Sequence, residues 1–164
     1  MKLYGRMSLA SLLKATLSLL LVIGFAVFAY IFYRVVSSEY FWAYMPQGYL
    51  LLAFYITGGL ALGHILYRFR RITDTLVESN PFTPDNVKSL KWIAYDCFIV
   101  SGCYLINFIV NPAYGHVEIL TIDIKGIHTD VEYLIFLFAG CFILILSKVF
   151  EQAVAFKEEN DLTI

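Results

Sequence analysis

The sequence predicts an all-α membrane protein: a bundle of four transmembrane helices, with helices 2, 3 and 4 extended beyond the membrane into the cytoplasm. Three observations carry that expectation. Of 164 residues, 60% are hydrophobic and only 15% charged, where a soluble domain has about half and about a quarter. The few charges stand in clusters between long uncharged runs, which excludes disorder and argues against a water-soluble enzyme. The Lys and Arg residues also fall unevenly among the connections, as they do in multi-pass chains. The net charge of -1 gives no sign of direct nucleic-acid binding.

A helix needs roughly 20 mostly apolar residues to cross the hydrocarbon core. Nineteen uncharged residues, Ala15 to Tyr33, form the core of the first span. A second run of 20, Gly48 to Tyr67, follows a Met45-Pro46-Gln47-Gly48 break, and a third, Trp92 to Asn111, carries one charge, Asp96. The fourth has 15 residues between Glu132 and Lys148, which at about 1.5 Å each fall short of a core about 30 Å thick. Thr129-Asp130-Val131-Glu132 reads as a capping box that starts the helix earlier, and Lys148 can snorkel while Val149 and Phe150 prolong the apolar face. The spans are thus placed at about 13–34, 48–67, 91–111 and 131–150, with a tail at 151–164, in one domain 1–164.

Ten Lys and Arg lie in the N-terminal flank, the second loop and the C-terminal flank, against Arg34 and Lys125 on the other side. Both termini and the second loop are therefore expected in the cytoplasm. The first segment has the basic start of a signal peptide. However, its core exceeds the usual h-region and no small-x-small site follows, so it reads as a retained helix.

The connections carry their own signals. Helix 2 is expected to continue from Arg68 to Glu78 with Phe69, Ile72 and Leu76 on one face, until Asn80-Pro81 stops it. Thr83 and Pro84 have the N-cap and first-position chemistry that starts helix 3. Helix 4 is expected to overrun its span, with Phe150, Val154 and Phe156 at helical spacing. Acidic Glu158, Glu159 and Asp161, then Leu162 and Ile164, end the chain. These overhangs form a candidate partner-binding surface, or else pack on each other. Between Pro112 and Thr129 an alternating pattern fits a short strand or an interfacial segment. Its His116, Glu118, Asp123, His128 and Asp130 match no compact metal signature.

Inside the membrane, Cys97, Cys103 and Cys141 form no C-x-x-C motif and read as small apolar residues. His64 is the only histidine within a span and lacks the second axial ligand of a haem site. No nucleophile elbow, phosphate loop or H-E-x-x-H motif is present. The sequence therefore predicts no catalytic, cofactor or metal site. Gly59-x-x-x-Gly63, beside Gly58, permits a close helix approach, expected within the bundle. Asp96, Cys103 and Asn107 share one face of helix 3 as a candidate intramembrane polar site. A charge there needs a partner, and Lys148, Lys14, His64 and Arg68 lie at its level.

Two segments, Asn80-Pro81-Phe82-Thr83-Pro84-Asp85-Asn86-Val87 before helix 3 and Glu158-Glu159-Asn160-Asp161-Leu162-Thr163-Ile164 at the end, resemble the bacterial domain-of-unknown-function 2975 family along essentially the whole chain. That family has no settled activity. The resemblance implies a small Xre/Cro-type helix-turn-helix regulator as partner, because such regulators are often encoded beside its members. The expectation is therefore a non-enzymatic regulatory or sensor protein of a bacterial inner membrane. The alternative is a small transporter or channel subunit with a polar path along helix 3. An immunity or stress protein would share the first architecture.

Overall fold

The computed structural model describes residues 9–39, 47–110, 121–123, 126–128 and 131–161. Its helices are α1 (Leu9–Val36), α2 (Gln47–Val77), α3 (Pro84–Val110) and α4 (Glu132–Asp161), and all four are long and apolar enough to cross a membrane. Two short strands, β1 (Thr121–Asp123) and β2 (Gly126–His128), pair antiparallel between α3 and α4, so the alternating segment forms a small hairpin. His116, Glu118, Asp130 and Thr129 lie outside the described residues, as do the side chains of Asp123 and His128, but α4 begins only at Glu132, after a non-helical Val131, and so later than a cap at Thr129 would start it.

The bundle is held mainly by contacts between consecutive helices: α1 on α2, α2 on α3, and α3 on α4. Helix α3 is the central element, because α2 and α4 both cover it. Its buried stripe runs from Asn86 and Val87 through Leu90, Ile93, Ala94 and Cys97 to Val100. Close approach of α3 and α4 depends on Gly140, where an added Cβ would stand 2.7 Å from Phe98 Cε1 and 3.2 Å from the Ala94 carbonyl oxygen. The Ser101 hydroxyl donates to the Tyr133 carbonyl at 2.8 Å and joins the body of α3 to the first turn of α4.

Helix α1 is the edge element, with only Ala10 and Leu17 buried. Phe28 stacks on Tyr55 of α2 at 4.8 Å between centroids, and the Tyr55 hydroxyl donates to the Phe28 carbonyl at 2.6 Å. The Phe28 ring fills the space above Gly59, where a Cβ would meet it at 2.2 Å. The first glycine of Gly59-x-x-x-Gly63 thus serves packing inside the bundle. At the other end of α1, Lys14 pairs with Asp74 at 2.7 Å.

Helix α2 runs ten residues past the last residue of its apolar run, as the Phe69, Ile72, Leu76 spacing predicts. It ends in a Schellman turn. Asn80 N–H donates to Thr75 O at 2.9 Å and Ser79 N–H to Leu76 O at 3.1 Å, with Ser79 at φ 60°. That left-handed position normally holds glycine, because a Cβ there is strained by about 1–2 kcal/mol. Part of this is recovered in the stiffer unfolded chain. Ser79→Gly is therefore expected to stabilise the protein by about 0.5–1 kcal/mol, read as a raised midpoint of thermal unfolding in detergent. A lowered midpoint would contradict the strain.

Helix α3 then starts at Pro84, as its sequence predicts. The Thr83 hydroxyl accepts from Asn86 N–H at 3.3 Å, so Thr83 is the N-cap and Pro84 the first helical residue.

Candidate functional site

Asp96 meets its partner on α2. His64 and Arg68 are one turn apart on α2, and Trp92 and Asp96 are one turn apart on α3, so two (i, i+4) pairs face each other. His64 Nδ1 lies 2.6 Å from Asp96 Oδ2, and Arg68 Nε donates to His64 Nε2 at 3.0 Å. A nitrogen that accepts from a guanidinium carries no proton, so the network assigns the imidazole proton to Nδ1, donated to the carboxylate. The chain therefore reads Arg68 to His64 to Asp96, a cation and an anion joined through a neutral ring. Trp92 supports it from the side, its ring centroid 6.1 Å from the His64 ring in an edge contact and 6.0 Å from the Arg68 guanidinium carbon. Asp96 is 6% exposed, so nearly all of its stabilisation comes from this one donor and the charge behind it.

Of the four partners expected at its level, His64 is thus the direct one and Arg68 the indirect one. Lys14 is spent on Asp74, and Lys148 is bound to Glu151 at 2.9 Å. Cys103 and Asn107 continue the Asp96 face of α3, but they line an apolar cavity instead of joining the polar chain. That cavity, about 840 Å³, is walled by α1, α2 and α3 and includes Phe28, Tyr55, Gly58, Gly63, Val100 and Tyr104, with His64 also on its lining.

A second polar knot lies where the helices overrun the apolar spans. Asn86, 1% exposed, donates from Nδ2 to Thr75 Oγ1 at 2.6 Å and to the Pro81 carbonyl at 2.7 Å, while the Thr75 hydroxyl donates to Ile72 O at 2.8 Å. This ties the end of α2, the turn and the start of α3 together. Arg71 binds Asp85 at 2.9 Å across the same turn, Lys91 binds Glu151 at 2.9 Å, and Lys157 donates to Asn80 Oδ1 at 2.8 Å. The overhang of α4 is thereby fastened to α3 and to the turn.

The candidate partner-binding residues are divided by this arrangement. Phe150 packs on Phe82 at 5.5 Å between centroids. Val154 is buried and shares a small cleft with Pro84 and Val87. Ile72 and Leu76 are half-buried. Phe69 and Phe156 remain 39% and 65% exposed, and Glu158 and Glu159 are exposed on the last turns of α4. Asp161 closes α4, while Leu162 and Ile164 lie outside the described residues.

The geometry defines a four-span membrane protein with one internal polar chain and a tied group of helix ends. Among the described residues no three His, Cys, Asp or Glu side chains cluster as a metal site. The family model described as a protein of unknown function (DUF2975) matches residues 7–164, and the chain belongs to that family. No curated protein and no solved structure matches it.

Proposed function

We propose that this chain is a non-enzymatic regulatory or sensor protein of a bacterial inner membrane, and that its tied helix ends bind a small cytoplasmic helix-turn-helix regulator of the Xre/Cro type. One observation carries the reading. Ion pairs and the Asn86 knot fasten the overhangs of α2, α3 and α4 into one platform, which leaves Phe156 exposed on the α4 turn that carries acidic Glu158 and Glu159, and Phe69 exposed separately on α2. An apolar side chain held in water, as Phe156 is, favours a partner that covers it. A carboxylate rim favours a basic one, such as a DNA-binding domain. A regulator held there is kept from its operator.

The reading requires the platform to face the cytoplasm, as ten Lys and Arg against two favour. In a background lacking Cys97, Cys103 and Cys141, single cysteines at Ser79 and Thr121 are expected to label from opposite sides of the membrane. Labelling of the Ser79 site by an impermeant reagent from the periplasm would overturn the orientation.

Partner recovery tests the function itself. Membranes carrying equal amounts of the native chain, of Phe156→Glu, or of a chain lacking residues 160–164 are solubilised and the bound proteins compared. The native chain is expected to retain one small DNA-binding protein, and both variants to lose most of it. Equal recovery from all three would sink the proposal. The transport reading has less support, because Asp96 is consumed by His64 while Cys103 and Asn107 line an apolar space.

A further inference from the structure

The cavity among α1, α2 and α3 exists partly because three open glycines line it, Gly24 on α1 and Gly58 and Gly63 on α2. A Cβ built at Gly58 or at Gly63 meets nothing within 4 Å, whereas Gly59 between them is filled by Phe28. Any larger side chain at those two positions would occupy the space. The lining on α2 extends from Leu51 to Tyr67, about 24 Å at 1.5 Å per residue. One leaflet of a hydrocarbon core about 30 Å thick is about 15 Å deep, so the cavity accommodates an acyl chain along its length. Its volume also falls in the usual range for a bound small molecule, about 300–1,000 Å³.

The turn of α2 just beyond the Tyr67 end of this lining carries a cation. Arg70 follows Leu66 by four residues and Gly63 by seven, so it stands one turn further along the same face of α2. Its Nε is buried and has no hydrogen-bond partner among the described residues. Among the described residues, Arg71 alone of the three arginines in this turn has a carboxylate directly on it, Asp85, and Arg68 reaches Asp96 through His64. The apolar run stops at Tyr67, which puts Arg70 about 4.5 Å beyond it, at the level of lipid phosphates. Basic residues between transmembrane helices at that level attract anionic headgroups.

We propose that the cavity binds one anionic phospholipid, an acyl chain lying over Gly58 and Gly63 and its phosphate at Arg70. The site needs no protein partner and borders the platform at Arg70, between Phe69 and Arg71. Charge selects the headgroup, and the glycine-lined hollow selects a chain. A lipid bound there joins α1 to α2 and α3 along a boundary that the protein leaves open.

Native mass spectrometry of the full-length protein, released from detergent and titrated with phosphatidylglycerol or with phosphatidylcholine of the same chains, tests this. One phosphatidylglycerol per chain is expected to bind at least tenfold more tightly than phosphatidylcholine. Arg70→Gln should lower phosphatidylglycerol affinity at least tenfold, to the phosphatidylcholine level. Gly63→Leu should lose both lipids while helix content, read by circular dichroism, is unchanged. Gly58→Leu fills the same hollow from the preceding turn and gives the same readout should Gly63→Leu lower the yield. Equal affinity for the two lipids, or unchanged binding in the arginine and glycine variants, would overturn the proposal. So would displacement of the lipid by glycerol 3-phosphate alone, which assigns the site to a soluble phosphate ester, or a dimer whose second copy closes the cavity.

Discussion

Replacing His64 with leucine should destabilise the protein by about 3–5 kcal/mol, the usual cost of stranding a buried charge. Leucine fills a similar space but removes the one donor on Asp96 among the described residues and the acceptor of Arg68 Nε. Asp96→Asn should cost far less, about 1 kcal/mol, since the amide oxygen still accepts from His64 Nδ1–H, and Arg68, which loses its anion, is only half-buried and keeps its bond to His64 Nε2. The double variant His64→Leu with Asp96→Leu should recover most of the stability lost in His64→Leu, because it removes the orphaned charge as well. Unfolding midpoints of the three proteins in one detergent give the comparison. A double variant less stable than His64→Leu would show that the polar chain does not act as a unit. The comparison survives even if the single leucine variant folds poorly, because recovery in the double variant is then the readout.

Asn86→Asp is the second large effect, and it changes one atom. The amide nitrogen that donates to Thr75 Oγ1 and to the Pro81 carbonyl becomes an oxygen that can donate to neither. Thr75 can turn its hydroxyl toward the new acceptor only by giving up its bond to Ile72 O. The Pro81 carbonyl has no proton to offer. A carboxylate facing a carbonyl at a 1% exposed position should cost about 3 kcal/mol or more, against about 2 kcal/mol for Asn86→Ala, which only deletes two hydrogen bonds. The sign of the pH dependence follows. The penalty is full where the new carboxyl is ionised in the unfolded chain and shrinks as pH falls, because a protonated acid regains one donor. Stability of Asn86→Asp relative to the native chain, measured from neutral to acid pH, checks this. A gap that widens toward acid would contradict the geometry.

Much of the architecture is legible in short-range sequence. Uncharged runs locate the spans, Phe69, Ile72 and Leu76 announce the continuation of α2, and Thr83-Pro84 marks the start of α3, because each rests on chemistry within one or two turns. The identity of the Asp96 partner does not follow in this way. Helical spacing places Cys103 and Asn107 on its face, but the register of α2 against α3 decides that His64, and not Lys14 or Lys148, reaches it. Asn86 gives no signal either. An asparagine in the first turn of a helix beside Asp85 reads as solvent-facing, and it is buried only because α2 continues far enough to bring Thr75 over it. The cavity depends on where Gly58 and Gly63 face once α1 has packed on Gly59, which is a property of three helices together.

The packing order has a kinetic side. Each helix has its principal contacts with the helix that follows or precedes it in the chain, so every interface can close as soon as the next span has entered the membrane. Low sequence separation between partners favours rapid assembly. The central α3 gains its second cover only when α4 arrives, and until then Ala94 and Phe98 lack Gly140. A chain halted before α4 would therefore hold its Arg68, His64 and Asp96 connection while exposing the most buried helix of the finished protein. Commitment to the native state, and protection from membrane proteases, should come with the last span to be synthesised.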